Sequence, residues 1–115
     1  MIKFQILILL VLLFSTINAN QPNNIVHGYN NLVGGNKNCL LGSHNIALGH
    51  VNAIIGHGNT AIGNYNGIAG HGNVVAGHCN GVTGSGNVVA GTYNGVQGHL
   101  NCVEGHGNDV TGISL

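Results

Sequence analysis

Hydrophobic and polar positions recur with a seven-residue period along most of the chain. Asn occupies every seventh position from Asn24 to Asn108, and Gly does so from Gly28 to Gly112. An apolar residue always lies midway between the two. Side chains alternate between the two sides of a strand, so Asn and the central apolar residue share one side. Each heptad is therefore predicted to form a short strand with Asn and the apolar residue inward, while Gly and the next two residues make a corner.

Other seven-residue and glycine-rich structures fit less well. Gly in every heptad would cost a coiled coil about 1 kcal/mol each relative to Ala, and the Gly at every third position that collagen needs is missing. One extended heptad reaches at most about 25 Å, which is too short to close a coil. Two heptads suffice, and Gly67, Gly81 and Gly95 do repeat every 14 residues. The prediction is an all-β solenoid of about six coils, each rising about 4.8 Å.

The residues that flank each central apolar position are predicted to form two opposite outer surfaces. The first face, from one set of alternate heptads, is mainly apolar, and its size and regularity suggest a use. It comprises Leu32, Gly34, Ile46, Leu48, Thr60, Ile62, Val74, Ala76, Val88, Ala90, Cys102 and Glu104. The second face comprises Ile25, His27, Cys39, Leu41, Ala53, Ile55, Gly67, Ala69, Gly81, Thr83, Gly95, Gln97, Asp109 and Thr111.

The first residues carry a different pattern. A short basic start precedes the apolar run from Phe4 to Phe14, and Ile17 and Ala19 hold the positions that a signal peptidase recognises. This order is typical of a secretory signal, and the run is too short to span a bilayer. We expect residues 1–19 to be a signal peptide and 20–115 to be a secreted, extracellular heptad-repeat domain that has no membrane association once the signal is cleaved.

Charge is nearly absent from this domain, where only Lys37, Glu104 and Asp109 are fully charged. The domain therefore lacks the basic stripe that phosphate groups require, and we expect no nucleic-acid partner. Two carboxylates are too few for paired acid–base work, and no nucleophile–base arrangement is visible. An enzyme is not expected, and neither is a cofactor.

Histidine and cysteine could suggest a metal site. His57 and His71 hold the same corner position in neighbouring coils, but zinc needs three or four converging ligands and this row offers pairs, so no metal site is expected. The odd number of cysteines does not fit a fully paired framework, and we expect no disulfide within the chain, although one between chains remains open. The cysteines are Cys39, Cys79 and Cys102.

The heptad resembles that of the ice-recrystallization-inhibition (antifreeze) proteins of cold-tolerant grasses. The match to x-x-Asn-x-Val-x-Gly runs from about residue 21 to 115. The resemblance implies a left-handed β-roll with two heptads per coil, acting in the apoplast or at the cell surface, with an ice surface as its partner. By position it implies that ice is bound by first-face residues, namely Ile46, Leu48, Thr60, Ile62, Val74, Ala76, Val88 and Ala90.

A second hypothesis is a self-assembling or adhesive structural β-solenoid whose apolar faces meet another protein or a polymer. The run from Asn59 to Gly63 is similar to heptads in the heads of bacterial trimeric adhesins. Self-association therefore remains an alternative to ice binding.

Overall fold

The computed structural model describes residues 23–113, and all of its regular structure is β-strand. Each heptad forms one strand, as the period predicts. The strands are β1 (Ile25–His27), β2 (Leu32–Asn36), β3 (Cys39–Ser43), β4 (Ile46–His50), β5 (Ala53–His57), β6 (Thr60–Asn64), β7 (Gly67–His71), β8 (Val74–His78), β9 (Gly81–Ser85), β10 (Val88–Thr92), β11 (Gly95–His99), β12 (Cys102–His106) and β13 (Asp109–Ile113).

The strands divide into two parallel sheets by alternate heptads. The odd-numbered strands form a seven-stranded sheet in sequence order, and the even-numbered strands form a six-stranded sheet. Every pairing joins residues 14 positions apart, for example Val74 with Val88 and Gly67 with Gly81. The predicted all-β solenoid of about six coils, with two heptads in each, is confirmed.

In the interior, apolar side chains from the two sheets pack against one another and are shielded from solvent. Side-chain sizes differ between the sheets in the first half: Leu40, Ile54 and Ile68 lie in the seven-stranded sheet, whereas Ala47 and Ala61 lie in the six-stranded one. Large residues on one side thus offset small ones on the other, as close packing requires. The buried residues are Val33, Leu40, Ala47, Ile54, Ala61, Ile68, Val75, Val82, Val89, Val96 and Val103, with Val26 and Val110 partly buried at the two ends.

The buried asparagines join successive coils. The Asn80 side-chain amide donates to the Gly91 carbonyl at 2.9 Å and to Asn66 Oδ1 at 3.1 Å, while Asn80 Oδ1 accepts from the Asn94 backbone at 3.0 Å. The same pattern recurs along both rows of asparagines. Removing one partner of such a buried hydrogen bond costs about 1–3 kcal/mol, because the remaining group then has no hydrogen-bond partner in either the protein or water. The prediction that these asparagines point inward is confirmed.

The repeated glycines are needed chiefly because neighbouring coils approach closely. A Cβ placed on Gly77 would lie 1.9 Å from the Gly91 carbonyl oxygen, and φ at Gly77 is 132°. No other residue fits such a position without moving the backbone. The sequence predicts a corner at this glycine, but the steric reason for glycine lies in the spacing between coils.

The corner residues adopt an uncommon backbone conformation. Positive φ is cheap for Gly and nearly so for Asn, yet other residue types also adopt it two positions after the repeated Gly. Val51 has φ 59°, Tyr65 has 60° and Tyr93 has 56°. These residues adopt positive φ because the stacked corner bonds fix the backbone. In one such bond the Tyr65 amide donates to the His50 carbonyl at 3.0 Å.

Some expectations fall wholly or partly outside residues 23–113. The predicted signal peptide, residues 1–19, lies there, as does the start of the predicted domain at residue 20. Within the described part of the chain, no helix is long and apolar enough to cross a membrane.

Candidate functional site

The six-stranded sheet presents the first face. Because the central residue of each strand points inward, the residues on either side of it point outward. Val74, Val88 and Ile62 are exposed by 42%, 47% and 46%, whereas the core residue Val75, on the same strand as Val74, is fully buried.

All eight residues that the sequence singled out lie together on four consecutive strands, β4, β6, β8 and β10. The register is one to one, so they form two straight rows. One row is Ile46, Thr60, Val74 and Val88, and the other is Leu48, Ile62, Ala76 and Ala90. Adjacent members of a row are separated by the strand spacing of about 4.8 Å.

The two rows are not uniform along the solenoid. Strands β8 and β10 both read Val-Val-Ala-Gly, which makes this part of the face even in height. Leu48 and Ile62 place larger side chains at the corresponding places in β4 and β6. Beyond β10 the rows end at Cys102 and Glu104, and the carboxylate there interrupts the uncharged surface.

The second face has the same backbone arrangement as the first but a different surface shape. Gly67 and Gly81 leave open space where a Cβ would be, with no atom within 4 Å. They line a shallow groove with Ala53, Ile55 and Thr83, and its volume is about 280 Å³. The second face is therefore hollowed at Gly67 and Gly81, whereas Val74 and Val88 occupy the corresponding positions of the first face.

The corners hold rows of polar side chains. The rings of His57 and His71 stack with centroids 5.4 Å apart and 6° between their planes, so the predicted adjacency of these two residues is confirmed. Ser43 Oγ lies 2.7 Å from His57 Nδ1, and Ser85 Oγ lies 2.6 Å from His99 Nδ1. On the opposite corner Thr92 Oγ1 bonds to His106 Nδ1. These contacts link neighbouring coils on the outside, as asparagine does inside.

No metal site or disulfide is found among residues 23–113. No three His, Cys, Asp or Glu side chains in this range are placed to hold one ion. Cys39, Cys79 and Cys102 are free thiols here, with Cys102 on the first face and exposed.

This geometry defines a class of protein: a repeat β-solenoid that offers a regular, uncharged outer surface. The model of one family, described as the grass antifreeze beta roll, matches residues 19–112. The chain belongs to this family of ice-binding proteins. Curated proteins compared one at a time give no significant match to the chain.

Sequence reasoning located the rows but missed two features of their surroundings. The repeated Gly67 and Gly81 indicated empty positions on the second face, but not that these positions would form one groove with Ile55 and Thr83. Sequence reasoning also missed the serine–histidine contacts at the corner, which the 14-residue spacing of Ser43 and His57 could have suggested.

Proposed function

We propose that the protein is secreted, binds ice through the first face and inhibits recrystallization. The observation that carries this proposal is the pair of straight, uncharged rows on β4, β6, β8 and β10. Membership of the grass antifreeze family supports ice as the partner. The roles of the eight residues and the secretion by residues 1–19 are parts of the proposal.

The face would act by ordering water. Methyl groups of Val74, Val88 and Ala90, with the Thr60 hydroxyl, repeat at about 4.8 Å, the strand spacing. Such a regular array favours an ordered water layer that merges with the lattice. Because the coil is rigid before contact, little conformational entropy is lost on binding. Adsorbed molecules then stop small crystals from supplying large ones, and no covalent bond changes, so no catalysis is involved.

Rigidity comes from the framework beneath the face. Val74 and Val88 donate backbone bonds of 2.8 Å to the asparagine carbonyls of the next coil. The strands cannot shift their register by one residue, because such a slip would move inward residues to the outer side. The face is thus held flat by bonds that its own side chains do not make.

The test replaces two row members by a bulky residue. Val74→Tyr with Val88→Tyr should make the surface protrude at the two neighbouring strands β8 and β10 and abolish most of the inhibition of ice recrystallization. Circular dichroism should remain that of the folded solenoid. Ice grain size after annealing in dilute protein is the measurement. The matched control is Thr83→Tyr with Gln97→Tyr, which pair in the same register on the second face and should leave grain size as in the unmodified protein.

The outcomes separate the parts of the proposal. Unhindered coarsening with the unmodified protein would refute ice recrystallization inhibition. Retained inhibition in the first-face variant would refute the assignment of the face, and its loss in the control would move the assignment to the second face.

Self-association is the second candidate, and the exposure of Leu32, Ile62 and Val88 favours it. Exposed apolar patches of this kind are common at contacts between proteins. Sedimentation of the unmodified protein and of Val88→Lys tests it: a charge on the face should dissociate an oligomer built on that face. A monomer at every concentration would exclude this candidate.

A further inference from the structure

Three heptads place glycine directly after a buried asparagine. They are Asn66-Gly67, Asn80-Gly81 and Asn94-Gly95, all on the seven-stranded sheet. The corresponding asparagines of the other sheet, Asn59, Asn73 and Asn87, precede Thr or Val. The chain therefore holds two sets of asparagines with the same burial and different neighbours.

An Asn-Gly pair is chemically weak in a free chain. The glycine backbone nitrogen attacks the asparagine Cγ, the bond from Cγ to Nδ2 breaks, and the nitrogen's proton leaves with the amine as ammonia. Water then opens the resulting five-membered imide at either carbonyl, which gives aspartate or isoaspartate. A β-branched residue in place of Gly hinders the attack, because its side chain crowds the backbone nitrogen.

In the folded coil, hydrogen bonds restrain both reacting groups and so hinder this reaction. The Gly81 nitrogen donates to the Asn94 carbonyl at 2.9 Å, and the Gly67 and Gly95 nitrogens make the equivalent bonds at 2.8 Å. The Asn80 side chain is held by the bonds of its amide nitrogen and its oxygen to neighbouring coils. Asn66, Asn80 and Asn94 are no more than 2% exposed, so water cannot reach them readily.

We propose that Asn66, Asn80 and Asn94 are latent deamidation sites that the fold protects and that unfolding exposes. Once converted, the residue cannot resume its place. An aspartate has no amide to donate to the carbonyl one coil on, Gly91 in the case of Asn80, and it places a negative charge in a buried row. Isoaspartate also lengthens the backbone and shifts the register of the heptads that follow. The fraction of molecules that cannot refold therefore increases with the time spent unfolded.

The test compares the protein folded and unfolded at mildly alkaline pH in water enriched in heavy oxygen. Peptic digestion at acidic pH, where the reaction is slow, and mass spectrometry then locate the label. In the unfolded chain we expect label at Asn66, Asn80 and Asn94 and far less at Asn59, Asn73 and Asn87. In the folded chain the three sites should react at least ~100-fold more slowly, because only open molecules react.

A variant separates the chemistry from the fold. Gly67, Gly81 and Gly95 can each become Ala without a steric clash, since φ is not positive there and the nearest atom is 3.8 Å away, at Gly95. The triple Ala variant should fold, deamidate more slowly when unfolded, and recover more of its native signal after the same unfolded interval. Equal reaction rates in folded and unfolded protein would overturn the proposal, as would equal label at Asn73 and Asn80. Equal recovery of the variant and the unmodified protein would show that deamidation does not limit refolding.

Discussion

The two outer faces differ although they share one framework. Both lie on strands with the same inward asparagine, the same inward apolar position and the same glycine, and with the same 14-residue register. At the position after asparagine, however, the first face has Thr60, Val74 and Val88, and the second has Gly67 and Gly81. The framework therefore does not determine what the outer positions carry. A surface that stays regular where the fold does not require it is the better candidate for function.

The largest expected effect is a difference in stability between two glycine substitutions. One glycine packs against the neighbouring coil, and the other lies on an outer face. Gly77→Ala would place a Cβ 1.9 Å from the Gly91 carbonyl oxygen, whereas Gly81→Ala has no atom within 4 Å. The first change should abolish folding or destabilise it by several kcal/mol, at roughly the upper end of single substitutions. The second should be neutral or stabilise by about 0.4–1 kcal/mol, because it reduces the entropy of the unfolded chain.

Urea unfolding followed by circular dichroism measures both variants. If Gly77→Ala were as stable as Gly81→Ala, the close approach of neighbouring coils would not be the reason for the repeated glycine.

The next effect concerns the second face. Replacing Gly67, Gly81 and Gly95 by Val should fill the groove and give this face a row like that of the first. Glycine weakens a strand interior, so the variant should also be more stable. Ice inhibition per molecule should rise up to about twofold, since opposite faces cannot engage one crystal plane together.

Annealing of ice in matched concentrations of the variant and the unmodified protein gives the comparison. Unchanged inhibition in a variant that folds would mean that a β-branched row alone does not make a working face, and that the second row, with Thr83 and Gln97, also matters.

The smallest effect is expected at the corner between the faces. His71→Ser removes a ring that stacks on His57, but Ser already occupies the same row at Ser43 and Ser85. The side chain is exposed, so the free energy of unfolding should change by no more than about 0.5 kcal/mol. Ice inhibition should be unaffected, and a clear loss would extend the working surface around the corner.

Sequence reasoning predicted the features that depend on the seven-residue period. It missed those that depend on the distance between neighbouring coils. The recurring Asn, Val and Gly were enough for the strands, the two sheets and the pairing of Thr60 with Val74. The need for glycine at Gly77 depends on a carbonyl 14 residues away, and local preference does not reveal it. Val51 has positive φ against its own preference because the corner bonds of the neighbouring coils hold it there.

The candidate site was predictable to the same extent. That the eight residues share one face follows from alternation along a strand and from the 14-residue coil, and the structure places them in two rows. Their selection as a candidate site came from the family resemblance. The difference in height between Leu48 and Ala76, and the groove along Gly67, depend on side-chain volume in three dimensions.

The uniform pairing of each residue with the one 14 positions later has a consequence for how such a chain can grow. Duplication of one 14-residue segment would add one rung, and both rows would lengthen by one member without disturbing the rungs on either side. Deletion of a segment would shorten them in the same way. The area of the proposed ice-binding surface can thus change in equal steps of one coil, while the two-sheet cross-section of the solenoid stays the same.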